Sequence, residues 1–123
     1  MMPKAHSSSA WLRWQAGRQQ TGYDKMLLAT ARWPIAFDMY LLRFNEGSAI
    51  PLHVDSVSQG DHYRLNLVLK AARRGGEFVC DQVIFASKRV KLFRPDIAQH
   101  AVTRVEAGRR YVFSVGWIQH STR

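Results

Sequence analysis

The sequence predicts a mainly β fold, a barrel or a double-sheet jelly roll, led in by one or two short helices. Three observations carry this expectation. From Phe37 onward the chain breaks into short runs rich in Val, Ile, Leu, Phe and Tyr, side chains that suit a pleated, half-buried surface. Turn residues punctuate the runs at Gly60-Asp61, Gly75-Gly76, Ser87-Lys88 and Ala107-Gly108. The runs also follow one another too closely for crossover helices, which argues against a parallel α/β sheet.

In chain order, residues 1–9 are polar, contain Ser7-Ser8-Ser9 and show no periodicity, so disorder is expected. The run 10–16, AWLRWQA, reads as a helix with Trp11 and Trp14 on one face, a packing stripe against a sheet. The glycine-bracketed polar segment 17–23 reads as a loop able to bend over a pocket mouth. A second short helix is expected over 24–31, closed by Trp33-Pro34. Residues 10–36 thus form a helical extension ahead of a core at 37–118. Within that core, strands are expected at 37–44, 50–55, 63–70, 77–80, 83–86, 90–93, 101–105 and 110–117.

At 123 residues one domain, residues 1–123, is expected, because a chain of this length buries about two-thirds of its unfolded surface. The single cysteine, Cys80, excludes an internal disulfide framework and a zinc ribbon and suits a reducing compartment. No run approaches 18 uninterrupted apolar residues and the opening MMPKAHSSSAW lacks the apolar core of a signal peptide. A cytoplasmic location with no membrane partner is the expectation. Eighteen Lys and Arg against nine Asp and Glu give a net charge of +9, a balance that favours polyanions at the surface. The cations are scattered rather than gathered into a tract, so the sequence alone defines no surface for such a partner.

Chemistry concentrates at His53-Val54-Asp55. In a strand, alternate side chains leave on the same side, so His53 and Asp55 would project together. Imidazole plus carboxylate is two-thirds of the 2-His-1-carboxylate set that leaves open positions on non-haem Fe(II). A jelly roll brings distant strands together, so the third ligand should sit on a late strand. His62 follows Gly60-Asp61 in an expected turn too close to the pair, and His120 lies beyond the last strand. His100, which opens the run toward Val105, is the expected ligand. Open coordination positions call for an organic guest. Arg110, at the head of the last apolar strand, is the expected partner for a carboxylate: a buried guanidinium is costly without an anion, and its planar fork matches one. A one-residue slip in register would substitute Arg109.

The ordered series Arg43-Phe44-x-x-Gly47, His53-x-Asp55, Gly75-Gly76-Glu77, His100-x-Val102-x-x-Val105-x-x-Gly108-x-Arg110 and Trp117 resembles the Fe(II)- and 2-oxoglutarate-dependent dioxygenases, in their prolyl-4-hydroxylase-like branch. The resemblance spans residues 37–118. It implies a double-stranded β-helix with iron held by His53, Asp55 and His100 and the 5-carboxylate of 2-oxoglutarate held by Arg110. Such enzymes use O2 to hydroxylate a substrate while 2-oxoglutarate becomes succinate and CO2. Two positions depart from the pattern: Phe44 stands where many relatives carry tyrosine, and Val112 where many carry serine or threonine. Tyr40, Arg64 and Asn66 are the expected replacements as co-substrate contacts. The substrate is left open among peptide, amino acid, small molecule and nucleic acid. Two other readings compete. One is a cupin-like jelly roll that binds metal without 2-oxoglutarate chemistry, although the His-x-His pair usual in cupins is absent. The other is a basic nucleic-acid-binding module built on Trp11, Trp14 and the arginines.

Overall fold

The computed structural model describes residues 12–17 and 22–120. The expected disorder of residues 1–9, the position of Trp11 and most of the glycine-bracketed loop lie outside them. The described residues form twelve strands: β1 (Gln15–Ala16), β2 (Tyr23–Ala31), β3 (Phe37–Phe44), β4 (Ile50–His53), β5 (Asp61–Lys70), β6 (Arg74–Gly75), β7 (Phe78–Cys80), β8 (Val83–Ala86), β9 (Val90–Phe93), β10 (His100–Val102), β11 (Val105–Ala107) and β12 (Arg110–Gln119). A seven-stranded main sheet runs β1-β2-β3-β12-β5-β9-β8, a three-stranded sheet runs β4-β10-β7, and β11 pairs with β6. Every pairing is antiparallel. This is a jelly-roll architecture of the cupin, or double-stranded β-helix, kind.

Strand β12 is the spine, held by β3 on one side and β5 on the other. Its residues alternate between fully and half buried from Arg110 to Trp117. The period of two therefore assigns Arg110, Val112, Ser114 and Gly116 to the inner face and Tyr111, Phe113, Val115 and Trp117 to the outer face. Inside, Phe44, Val102, Val105 and Val112 form the buried cluster, with Ile50, Val68 and Phe78 packed against it. These residues come from all the sheets, so the core lies between them. Burial of Phe44, 1% exposed, contributes about 1.5–3 kcal/mol by removing its ring from water.

The expected N-terminal helices are corrected by the structure: no helix occurs among the described residues. The segment expected as the second helix is instead strand β2, hydrogen-bonded to β1 and β3. Its Lys, Met, Leu and Ala favour helix, but two flanking strands that satisfy its backbone override that weak preference. A bulge between Leu27 and Ala29 interrupts the alternation and disguises the strand. In the first helix region, Leu12 adopts a left-handed backbone, φ 56°, and residues 15–16 pair with β2. Trp14 consequently meets Tyr111 edge-on, with ring centroids 6.5 Å apart, and lies under the Arg43 guanidinium at 4.1 Å.

Three finer expectations also change. The strand expected over 50–55 ends at His53, because the Asp55 N–H turns away to the Pro95 carbonyl at 2.7 Å. The strand expected over 101–105 divides into β10 and β11, since the Thr103 and Val105 N–H groups donate to the carbonyls of Glu77 and Ser48. His62 lies in β5, not in a turn. No helix among the described residues is long and apolar enough to cross a membrane.

Candidate metal centre

Strands β4 and β10 lie side by side with His53 opposite His100, which brings their rings to 4.2 Å between centroids. Each ring is held by the backbone. His53 Nδ1 lies 2.8 Å from the Pro51 carbonyl, and His100 Nδ1 lies 2.9 Å from the Ala98 carbonyl. A carbonyl only accepts, so each Nδ1 is the donor of its pair, which leaves each Nε2 as the ring atom available to a metal. Both Nε2 atoms face one carboxylate, with His53 Nε2 3.4 Å from Asp55 Oδ1 and His100 Nε2 3.4 Å from Asp55 Oδ2.

All three donor atoms lie within 4.8 Å of one another. Ligands about 2.0–2.2 Å from a common ion sit about 3 Å apart, close to the two 3.4 Å distances from imidazole to carboxylate. Two imidazoles and one carboxylate on one side of an ion would fit a divalent transition metal and suit non-haem Fe(II). The backbone carbonyls behind each Nδ1 supply the outer support that fixes ligand tautomer and ring angle. Phe93 and Phe78, with ring centroids 5.1 and 6.2 Å from that of His100, wall the buried side. The Asp55 side chain, 43% exposed, marks the open side.

The ligands border a cavity of about 330 Å³ that also holds Arg110, Tyr40, Arg64 and Asn66. Arg110 is 6% exposed and its guanidinium makes no hydrogen bond or ion pair with the described residues. Its neighbour is the Phe44 ring, 5.1 Å away. Burial lowers the guanidinium to about 10, opposed by a weaker pull from Glu77, so it remains a cation at neutral pH. Arg109 faces elsewhere and lines a different concavity.

Arg64 is placed otherwise. It donates to Ser114 Oγ at 2.7 Å and to Asp38 Oδ1 at 2.6 Å, and it lies flat against β12 because a Cβ on Gly116 would collide with the guanidinium. Burial and Asp38 raise the Tyr40 phenol above its ordinary value, with Arg64 opposing. Asn66 Oδ1 and His62 Nδ1 are buried without a hydrogen-bond partner. Burial, reinforced by Arg64, holds the His62 imidazole below its ordinary value. Cavity polar atoms left over in this way suit a polar guest.

Sequence reasoning did not single out Ser114 or Asp38, and it weighed His62 only as a metal ligand and set it aside. Strand parity carries the first two, because 110, 112 and 114 share a face of β12 as 38, 40 and 42 share a face of β3. His120 is exposed and lies outside the ligand cluster.

No protein-family model matches the chain, and no curated protein matches it. Solved structures resemble it in fold. A prolyl-4-hydroxylase from Pseudomonas putida has a TM-score of 0.64 at 13% identity, over 96% of this chain and 82% of that one. A viral collagen prolyl hydroxylase from Paramecium Bursaria Chlorella virus-1 has a TM-score of 0.59 at 16% identity, over 82% and 81%. The cupin domain of Schizosaccharomyces pombe Cnp3 has a TM-score of 0.63 at 11% identity, over 88% and 69%. The chain therefore shares the fold common to cupins and 2-oxoglutarate oxygenases, and it carries a His-Asp-His cluster able to hold a metal.

Proposed function

We propose that this protein is an Fe(II)- and 2-oxoglutarate-dependent oxygenase that hydroxylates a substrate. The observation that carries the reading is Arg110: a buried guanidinium with no ion pair or hydrogen bond to the described residues, opening into the cavity that His53, Asp55 and His100 border. A cation in that state has been desolvated for a guest, and its fork suits a carboxylate. In this reading the triad holds iron and Arg110 holds the 5-carboxylate of 2-oxoglutarate. Tyr40 and Asn66, with hydrogen-bonding capacity to spare, complete the co-substrate contacts, and Arg64, held by Ser114 and Asp38, lines the cavity beside them. Iron held by these residues, with 2-oxoglutarate bound, would supply O2 activation, the co-substrate being converted to succinate and CO2 as the substrate gains a hydroxyl group. Phe78 and Phe93 keep water from the buried side, and the exposed Asp55 edge admits the substrate.

The test is anaerobic titration of the Fe(II)-loaded protein with 2-oxoglutarate, following the visible charge-transfer band of the chelate, with Asp55→Ala and Arg110→Ala beside it. The expected result is a band in the parent, a much weaker response in Arg110→Ala at equal co-substrate, and loss of bound iron in Asp55→Ala. Full iron occupancy and turnover in Asp55→Ala would overturn the ligand assignment. Iron bound without any band would instead favour the cupin-like reading.

A further inference from the structure

Two sets of cations stand apart among the described residues. Arg43, Arg64, Arg74 and Arg94 each face a carboxylate at 2.6–3.0 Å. Lys70, Arg73 and Arg109 have no such partner among the described residues, yet they converge on one concavity of about 700 Å³. Glu46 is the acid in its lining, and its Oε2 accepts the Gly108 N–H at 2.9 Å. Three cations against one carboxylate leave the lining with a charge of 3 − 1 = +2.

The convergence is built into the fold. Lys70 closes β5 opposite Tyr111 of β12. The Arg73 N–H donates to the Ala107 carbonyl at 2.9 Å, and Gly108, at φ +83°, lets the turn pass close to the Arg73 backbone, where a Cβ would come within 3.0 Å of the Arg73 N. Arg109 follows directly. Like charges gathered in one hollow repel one another, and they are best neutralised by an anion from outside. Two guanidinium forks and an ammonium around a roomy hollow suit phosphate oxygens. Tyr111 in the lining, with Trp14 edge-on to it, places aromatic surface beside the cations. This concavity and the metal-bearing cavity share no lining residue.

We propose that the concavity formed by Lys70, Arg73 and Arg109 is a binding site for phosphate groups, supplied either by a small polyphosphate or by successive phosphates of a nucleic-acid strand. It is separate from the iron site and does not depend on it.

The experiment titrates the full chain with inorganic pyrophosphate and with fluorescein-labelled oligothymidylate, at low and at physiological salt. Arg73→Ala and Arg109→Ala are compared with Arg74→Ala, whose exposed guanidinium is paired with Glu106 outside the concavity. Both concavity variants should weaken binding, each lowering the log–log salt slope for the oligonucleotide by about 0.7, the share of one single-strand phosphate. Arg74→Ala should leave binding unchanged. Pyrophosphate binding alone identifies a small polyphosphate as the source, and oligonucleotide binding, with or without pyrophosphate competition, identifies a strand. No binding of either probe at low salt overturns the proposal. Equal weakening by Arg74→Ala does so as well, because affinity would then reflect net charge rather than this site.

Discussion

Arg64 and Arg110 reach the same cavity from neighbouring strands, and the protein treats them in opposite ways. Arg64 has both ends of its fork occupied, by Ser114 and Asp38, and Gly116 clears the surface it lies on. Arg110 is 6% exposed, stands against Phe44, and makes no ion pair with the described residues, the pull from Glu77 being the weaker influence on it. A satisfied guanidinium is part of the wall. An unsatisfied one is a receptor, since its desolvation cost is recovered only when a carboxylate arrives.

That contrast can be broken most sharply at Arg110. Arg110→Ala should weaken 2-oxoglutarate binding about 30-fold or more, from the roughly 2–5 kcal/mol typical of truncating one side of a buried charge pair. Its thermal midpoint should not fall, because the variant also removes an unpaired buried cation. Calorimetry paired with a melting curve reads both. A large fall in midpoint with unchanged affinity would reverse the roles assigned to the two arginines.

Arg64→Ala should do the converse. Stability should drop by on the order of 1–3 kcal/mol, as Asp38 and Ser114 lose a charged donor, discounted because Asp38 is one-third exposed. Denaturant unfolding measures this, and 2-oxoglutarate affinity should change less than in Arg110→Ala. Gly116→Ala sharpens the comparison by moving Arg64 without removing it. A Cβ in that space costs about 1–3 kcal/mol by overpacking, and the prediction is a lower unfolding midpoint with iron binding retained.

The smallest effect lies at the rim, where Arg94 binds Asp96 at 2.6 Å and Asp61 at 3.0 Å. Burial raises the Asp96 carboxyl, but hydrogen bonds from Arg94 and from the His62 and Asp96 N–H groups outweigh it, so its net shift is downward. A carboxyl depressed in the folded state stabilises the protein above its unfolded value. That contribution is lost as pH falls from the ordinary carboxylate range through the lower folded value. Asp96→Asn should therefore flatten the acid limb of a stability–pH curve, and an unchanged limb would dismiss the pair as a source of acid sensitivity.

Legibility followed periodicity. The runs 37–44, 83–86 and 90–93 match β3, β8 and β9 residue for residue, because short runs rich in apolar and aromatic residues and bounded by turn residues leave little choice of element. Segment 24–31 misled because a bulge erased its alternation and its residues favour helix. Asp55 is instructive in another way. Strand parity picked it out, yet it lies past the end of β4 and is set beside the imidazoles by the Pro95 carbonyl. Ser114 and Asp38 were readable by the same parity rule but carried no motif to draw attention to them.

By itself, the sequence determined the strand-rich core, the net charge of +9 and the local pairing of an imidazole with a carboxylate, because these follow from composition and from alternation along one strand. Only the tertiary structure decided that His100 sits across from His53, that Arg110 turns inward while Arg109 turns to a different hollow, and that Arg64 is spoken for. Each of those is fixed by register between strands distant in the chain, where a shift of one residue exchanges the two faces.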